Sequence, residues 1–353
     1  MSFFHNGSGH GDFVLGAYYP AWSVYNGAKP SDLRLSLLTH VYYAFARVKE
    51  DGTVFSRDPA ADFGLDVAGA KGCLAAFVKL RREQQLHFRL ILSIGGASGS
   101  STFATVAADR SKTQRFFDWE HPSSPEQGQS FATLLTALRV HLPSPRYTLT
   151  AALPAAEWCL QHIDLAFLLN KPLKAAPNTE PVLDHLNIMA YDFAGPWTNG
   201  QSGHHAQLYT PPKPHNPYAK RSIAAVTQYL VQKRKCDPRR LVIGIPLYGR
   251  SFRGVDGPGQ HFTACGGDKD GTFRYADLPL PGSRETFDTK LGAASCMSAG
   301  GGWVSYDCPE TVRMKGKFVR DHSLGGMFFW TAANDAISDE RSLFVAGKSA
   351  MGM

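Results

Sequence analysis

Apolar positions in this chain fall in short consecutive runs more often than in alternation. Residues 14–19, 40–45, 90–94, 147–152, 185–190, 241–245 and 326–330 are apolar or aromatic at most positions. A strand wetted on one face alternates, so unbroken runs predict strands covered on both faces, as in a parallel sheet. Between them lie stretches with helical spacing. Residues 72–84 carry Leu74, Phe77, Val78 and Leu80, residues 128–140 carry Phe131, Leu134, Leu135 and Leu138, and 222–233 forms a third. Strand and helix in alternation predict an α/β chain of the TIM (β/α)8 barrel class.

Two segments break the rhythm. Residues 253–313 are too long for a connecting loop and hold strand-like pieces at 272–275 and 302–306, which predicts a small α+β insertion. Between the third run and residue 147, a full barrel needs a helix and a fourth strand. Ser111 to Phe116 starts like a helix but runs directly into Phe117-Asp118-Trp119-Glu120-His121-Pro122, so helix and strand cannot both fit and the fourth strand is expected to be defective.

Composition narrows the class. With 353 residues, 43% hydrophobic and 19% charged, the chain can bury a large core. The net charge of +7 is scattered apart from Lys233-Arg234-Lys235 and Arg239-Arg240, which gives no continuous basic face for nucleic acid. Six cysteines without a C-x-x-C pair predict free thiols. His204-His205 and the Asp268-Lys269-Asp270-Gly271 turn lack full ligand sets and read as surface loops, so neither a metal nor another cofactor is expected. No apolar run reaches the roughly 18 residues of a membrane span, and the first residues lack the pattern of a secretion signal. The chain as written reads as a soluble monomer.

Barrel enzymes carry their chemistry at the C-terminal ends of the strands. Here those ends offer Tyr18, Tyr19 and Trp22, then Tyr43 and Phe45, then Ser93-Ile94-Gly95-Gly96. Asp118-Trp119-Glu120, Met189-Ala190-Tyr191-Asp192, Tyr248-Gly249-Arg250 and Trp330 complete the set. Carboxylates among aromatic platforms suit a sugar polymer, whose ring faces stack on indole and phenol while acids act on the glycosidic oxygen.

In this order the motifs resemble glycoside hydrolase family 18, over about Phe13 to Leu343, in a style similar to the fungal chitinases. The resemblance rests on Ser93 to Gly96, on Asp118-Trp119-Glu120 as the end of the D-x-x-D-x-D-x-E signature, on Met189 to Asp192, on Gly244 to Arg250, and on Gly325 to Trp330. It implies retaining, substrate-assisted hydrolysis of chitin or chitooligosaccharides, with Glu120 as general acid, Asp118 holding the acetamido N–H and Tyr191 donating to the acetamido oxygen. It further implies that Asp192 and Arg250 hold sugar hydroxyls, that Trp330 floors the cleft, and that Met189, Tyr248, Tyr19, Phe45, Trp119 and Gly96 line it. The 253–313 segment matches the family's α+β subdomain. The sequence departs from the signature at Phe116, where an aspartate belongs, and about twenty residues of helix and strand are missing before Asp118. The alternatives are a lectin-like chitin binder with impaired catalysis, or an inactive product of splicing or gene modelling.

Overall fold

The structure, a computed structural model, describes residues 13–99, 120–173 and 180–353. Among the described residues, seven parallel strands curl into most of a barrel: β1 Val14–Pro20, β2 His40–Val48, β3 Arg89–Ile94, β4 Thr150–Pro154, β5 His185–Met189, β6 Leu241–Pro246 and, last in the chain, β12 Gly326–Trp330. They lie in the order β3-β2-β1-β12-β6-β5-β4. The consecutive apolar runs are explained by their surroundings, since β1 and β6 are buried at every position. The fourth run starts at Thr150 rather than at Tyr147, because the Tyr147 amide instead closes a turn onto the Pro143 carbonyl at 3.2 Å.

Among the described residues, β3 pairs only with β2, and β4 only with β5. The expected helix start at Ser111 and the Phe116 departure lie outside the described residues. A cavity of about 370 Å³ opens between β3 and the approach to β4, lined by Tyr18, Tyr42, Ile91, Ser93, Leu149 and Ala151, among others. At its base Arg89 Nη1 donates to Thr148 Oγ1 at 2.8 Å.

Helices coat the outside. The principal ones are α1 Gly72–Glu83, α2 Pro125–His141, α3 Ile223–Gln228, α4 Pro309–Asp321 and α5 Leu343–Met351. Serine hydroxyls cap three of them, with Ser124, Ser222 and Ser342 accepting from the amides of Gln127, Ala225 and Val345 and satisfying a donor that the first turn leaves free. The helix expected to reach Lys233 keeps its regular form only to Gln228 and closes with a wider turn, the Arg234 amide reaching the Tyr229 carbonyl at 3.0 Å.

Two buried ion pairs tie the layers together. Arg139 on α2, fully buried, meets Asp184 at 2.5 Å, and Asp184 also accepts from the Leu149 amide just before β4. Lys315 on α4 is buried against both oxygens of Asp307 and the Ala206 carbonyl. All six cysteines are free, five buried and Cys265 half-buried.

A second, antiparallel sheet follows β6. Its strands are β7 Tyr248–Phe252, β8 Thr272–Arg274, β9 Glu285–Asp288, β10 Ala293–Ser298 and β11 Gly302–Tyr306, in the order β8-β7-β11-β10-β9. It forms one wall of a groove of about 1020 Å³ that reaches Trp22, Trp330 and Asn334 on the barrel. Among the described residues, no helix is long and apolar enough to cross a membrane.

Candidate active site

Side chains alternate along a strand, so of two neighbouring tyrosines only one can face into the barrel. That residue is Tyr18. Its ring stacks on Tyr42 at 4.6 Å and lies 5.5 Å from Trp330, and its hydroxyl accepts from Asn187 Nδ2 at 3.1 Å. Tyr19 is not a cleft residue: it is fully buried on the outer face against Phe77 and Tyr43, with its hydroxyl donating to the Ala28 carbonyl at 2.8 Å.

Phe45 sits where the β2 register to β3 slips between Ala44 and Ala46, an irregularity of the kind that re-aims a side chain. Its ring stacks on Trp330 at 5.9 Å and approaches Trp22 at 6.1 Å, giving a row of aromatic faces. Gly96 permits this, since a Cβ there would stand 2.7 Å from the Phe45 ring, and its φ of +74° suits glycine. Met189 and Tyr191 pack into the same apolar cluster as Phe45 and Trp330.

A dense polar network centres on Asp192. Its Oδ1 accepts from Tyr248 Oη at 2.7 Å and Arg250 Nε at 2.6 Å, and its Oδ2 from Arg250 Nη2 at 2.8 Å. Asp192 has a left-handed backbone (φ 60°), which aspartate tolerates better than most residues. Burial would raise its carboxyl, but the His205 ring and the Arg250 guanidinium outweigh that and hold it well below the usual carboxylate range. With a third of its side chain still open, an ionised Asp192 can accept a ligand hydroxyl. Arg250 lies under the Trp197 ring at 4.5 Å, and Tyr191 meets Tyr248 edge-on at 6.2 Å.

Glu120 lies within electrostatic reach of Arg47, near the end of β2. Burial pushes its carboxyl up to about 7, against the opposing pull of Arg47. Arg47, buried on β2, donates Nη1 to the Gly95 carbonyl at 2.7 Å. A carboxyl that keeps its proton near neutrality is equipped to be a general acid. Asp118 and Trp119 lie outside the described residues.

Reading the sequence alone misses Arg47, Asn187 and Trp197, although a charged residue at the end of the β2 apolar run was a visible signal. It also misplaces His204-His205, which is no surface loop. His204 Nδ1 lies 3.0 Å from Ser305 Oγ, its ring packs on Trp303 at 5.1 Å, and His205 is fully buried behind Asp192. Glu285, Cys308 and Glu310 converge within 4.8 Å, but Glu285 is already bridged by Arg341 and Tyr306, which leaves a poor cation site.

The chain is 30% identical to chitinase 1 of Aphanocladium album, over 91% of its own length and 81% of that protein's. Against endochitinase 1 of Metarhizium robertsii it is 30% identical, over 92% and 82%. Its fold matches the group IV chitinase of Ostrinia furnacalis with a TM-score of 0.81 at 21% identity, covering 97% of this chain and 100% of that one. Residues 14–335 match the family described as glycosyl hydrolases family 18. Over nine-tenths of its length, then, this chain belongs to the glycosyl hydrolases of family 18.

Proposed function

We propose that the chain hydrolyses β-1,4-linked N-acetylglucosamine polymers with retention, using the substrate's own acetamido group as nucleophile. The observation that carries this reading is that two carboxyls near the strand ends, Glu120 by Arg47 and Asp192 by Arg250, are held in opposite states. Glu120 keeps its proton to about pH 7, while Asp192 stays ionised. Two titratable groups pushed apart by their surroundings are the usual mark of an acid and a binding anion. The names of the relatives, chitinase 1 and endochitinase 1, point to the same polymer.

In this reading Glu120 protonates the glycosidic oxygen as the acetamido carbonyl attacks the anomeric carbon. The resulting oxazolinium ion is opened by water, whose proton returns to Glu120. Asp118 holds the acetamido N–H, and Tyr191 donates to the acetamido oxygen. Asp192 and Arg250 take sugar hydroxyls beside Tyr248, Trp330 forms the floor with Phe45 and Met189 around it, and Trp119 and Gly96 complete the lining. The catalytic unit is 13–343, with 253–313 deepening the cleft, and it acts as a monomer without cofactor, nucleic acid or membrane.

The cavity beside β3 favours a second reading, a chitin binder with slowed catalysis. Proton NMR of a chitin oligomer incubated with the protein separates the readings. Fresh β-anomer is expected as the first product; α-anomer first would sink the retaining mechanism, and binding without cleavage would favour the lectin-like reading.

A further inference from the structure

We infer that His205 is a positioning residue for Asp192, a donor held behind the carboxylate that keeps Oδ1 fixed when substrate draws Tyr248 or Arg250 away. This rests on the proposed role of Asp192 in binding sugar hydroxyls.

His205 is fully buried, and its Nδ1 lies 3.6 Å from Asp192 Oδ1, just beyond hydrogen-bond reach. Among the described residues, neither ring nitrogen has a hydrogen-bond partner. An imidazole without a partner in a dry site is costly compared with an apolar ring, so its presence calls for an explanation. The backbone holds it in place from two sides. Its carbonyl accepts from the amide of Phe193, the residue after Asp192, at 3.0 Å, and its own amide points at Ser305 Oγ on β11 at 3.4 Å. Its ring also packs against Tyr248 at 5.1 Å.

Burial favours a neutral ring, against the pull of Asp192, and its proton is placed on Nδ1 by the acceptor it faces. Asp192 and Arg250 face it from the cleft with the Tyr248 phenol, while the Asp307 and Lys315 pair, with the neighbouring His204, lies behind. Nδ1 is the nitrogen that faces Asp192 Oδ1, at 3.6 Å, so among the described residues the Nδ1–H tautomer is the one that gains. Oδ1 now takes two donors, Tyr248 Oη and Arg250 Nε, and both belong to side chains on the cleft. When a sugar hydroxyl engages one of them, a shift of a few tenths of an ångström brings His205 into reach and keeps the carboxylate aimed, leaving Oδ2 to the ligand. Such a keeper matters because Asp192 sits on an irregular, left-handed backbone rather than within a strand.

The test compares His205→Phe, which keeps the ring shape without a donor, with His205→Asn, whose Nδ2 falls near the place of Nδ1. Chitotetraose affinity is measured by calorimetry, and KM and kcat by hydrolysis. His205→Phe is expected to weaken binding and raise KM about tenfold, with kcat changed far less, as loss of a hydrogen bond to a charged group implies. His205→Asn is expected to recover most of that loss, and His205→Phe to add nothing in an Asp192→Asn background. Unchanged affinity in His205→Phe, or an equal loss with Asp192→Asn already present, would overturn the inference. Should His205→Phe fail to fold, nitrogen-15 NMR of the wild-type imidazole decides, because an Nε2–H tautomer with tetraose bound is incompatible with the role. Absence of any tetraose binding by the wild type would instead bring down the proposed function and this inference with it.

Discussion

On one side of the barrel mouth, Asp192, just past β5, is locked to Tyr248 and Arg250 by hydrogen bonds of 2.6 to 2.8 Å, and their strand β7, part of the second sheet, is buried at every position. On the other side, β3 is buried only at its last two residues, Leu92 is 45% exposed, and a cavity of about 370 Å³ lies beside it. Glu120 belongs to this looser side. The contrast separates what binding needs from what catalysis needs. A sugar ring seats on aromatic faces with some tolerance, whereas a misplacement of about an ångström in a proton donor costs roughly 100-fold in rate. The sheet-backed side is built for the first demand, and the second falls on the loose side.

The largest expected effect isolates the chemistry of the loose side. Glu120→Gln keeps the shape but removes the proton, and kcat on a chitin oligomer is expected to fall by about 10²–10⁴ with affinity nearly unchanged. Equal loss of affinity and rate would mean that Glu120 holds substrate rather than protonating it. Next comes the stability of that side. Arg139→Ala leaves Asp184 without its buried partner next to β4, at an expected cost of roughly 3–5 kcal/mol in chemical denaturation. A cost under about 1 kcal/mol would show that the β4 side contributes little to the cooperative fold.

The comparison can also be broken by repair. Inserting a family-like helix and strand ahead of Asp118 is expected to raise hydrolysis about 100-fold and to raise the melting temperature. If both chains melt alike and hydrolyse alike, the missing stretch does not matter. On the sheet-backed side, Trp330→Ala removes the proposed floor, and fluorescence titration with a chitin oligomer is expected to show about tenfold weaker binding, the scale of losing one aromatic stack. Equal affinity would remove Trp330 from the site.

The same contrast explains what could be read from the sequence. The strands were legible because burial on both faces leaves consecutive apolar residues, and the aromatic and acidic side chains at their ends followed from the barrel's geometry. Parity within a strand was not legible: Tyr18 and Tyr19 are both apolar-bodied tyrosines in an unbroken run, and only the packing of Phe77 on one face shows which points inward. His204 and His205 read as exposed because the residue that meets them, Ser305, lies about a hundred positions away on β11. Such long-range cover has no local pattern. The weight of Arg47 was hidden for the same reason, since its effect on Glu120 arises across the mouth.

The smallest expected effect concerns the proton on Glu120. Burial raises its carboxyl from 4.5 to about 7, so the charged form is the disfavoured one in the folded chain. A general acid works only when protonated, so hydrolysis is expected to hold on the acid side and decline as pH rises through about 7, unlike an ordinary glutamate, which would be spent by about pH 4.5. The linkage has the same sign: the folded chain gains relative to the unfolded one while Glu120 is neutral, and that gain is lost as pH climbs from the unfolded value towards 7. Arg47 opposes the shift, since its positive charge favours the carboxylate. Arg47→Gln is therefore expected to move the alkaline limb of the kcat/KM profile upward, and Arg47→Lys to move it less. An alkaline limb that stays in place in Arg47→Gln, or that moves down, would show that the guanidinium does not tune the acid and that burial alone sets its proton.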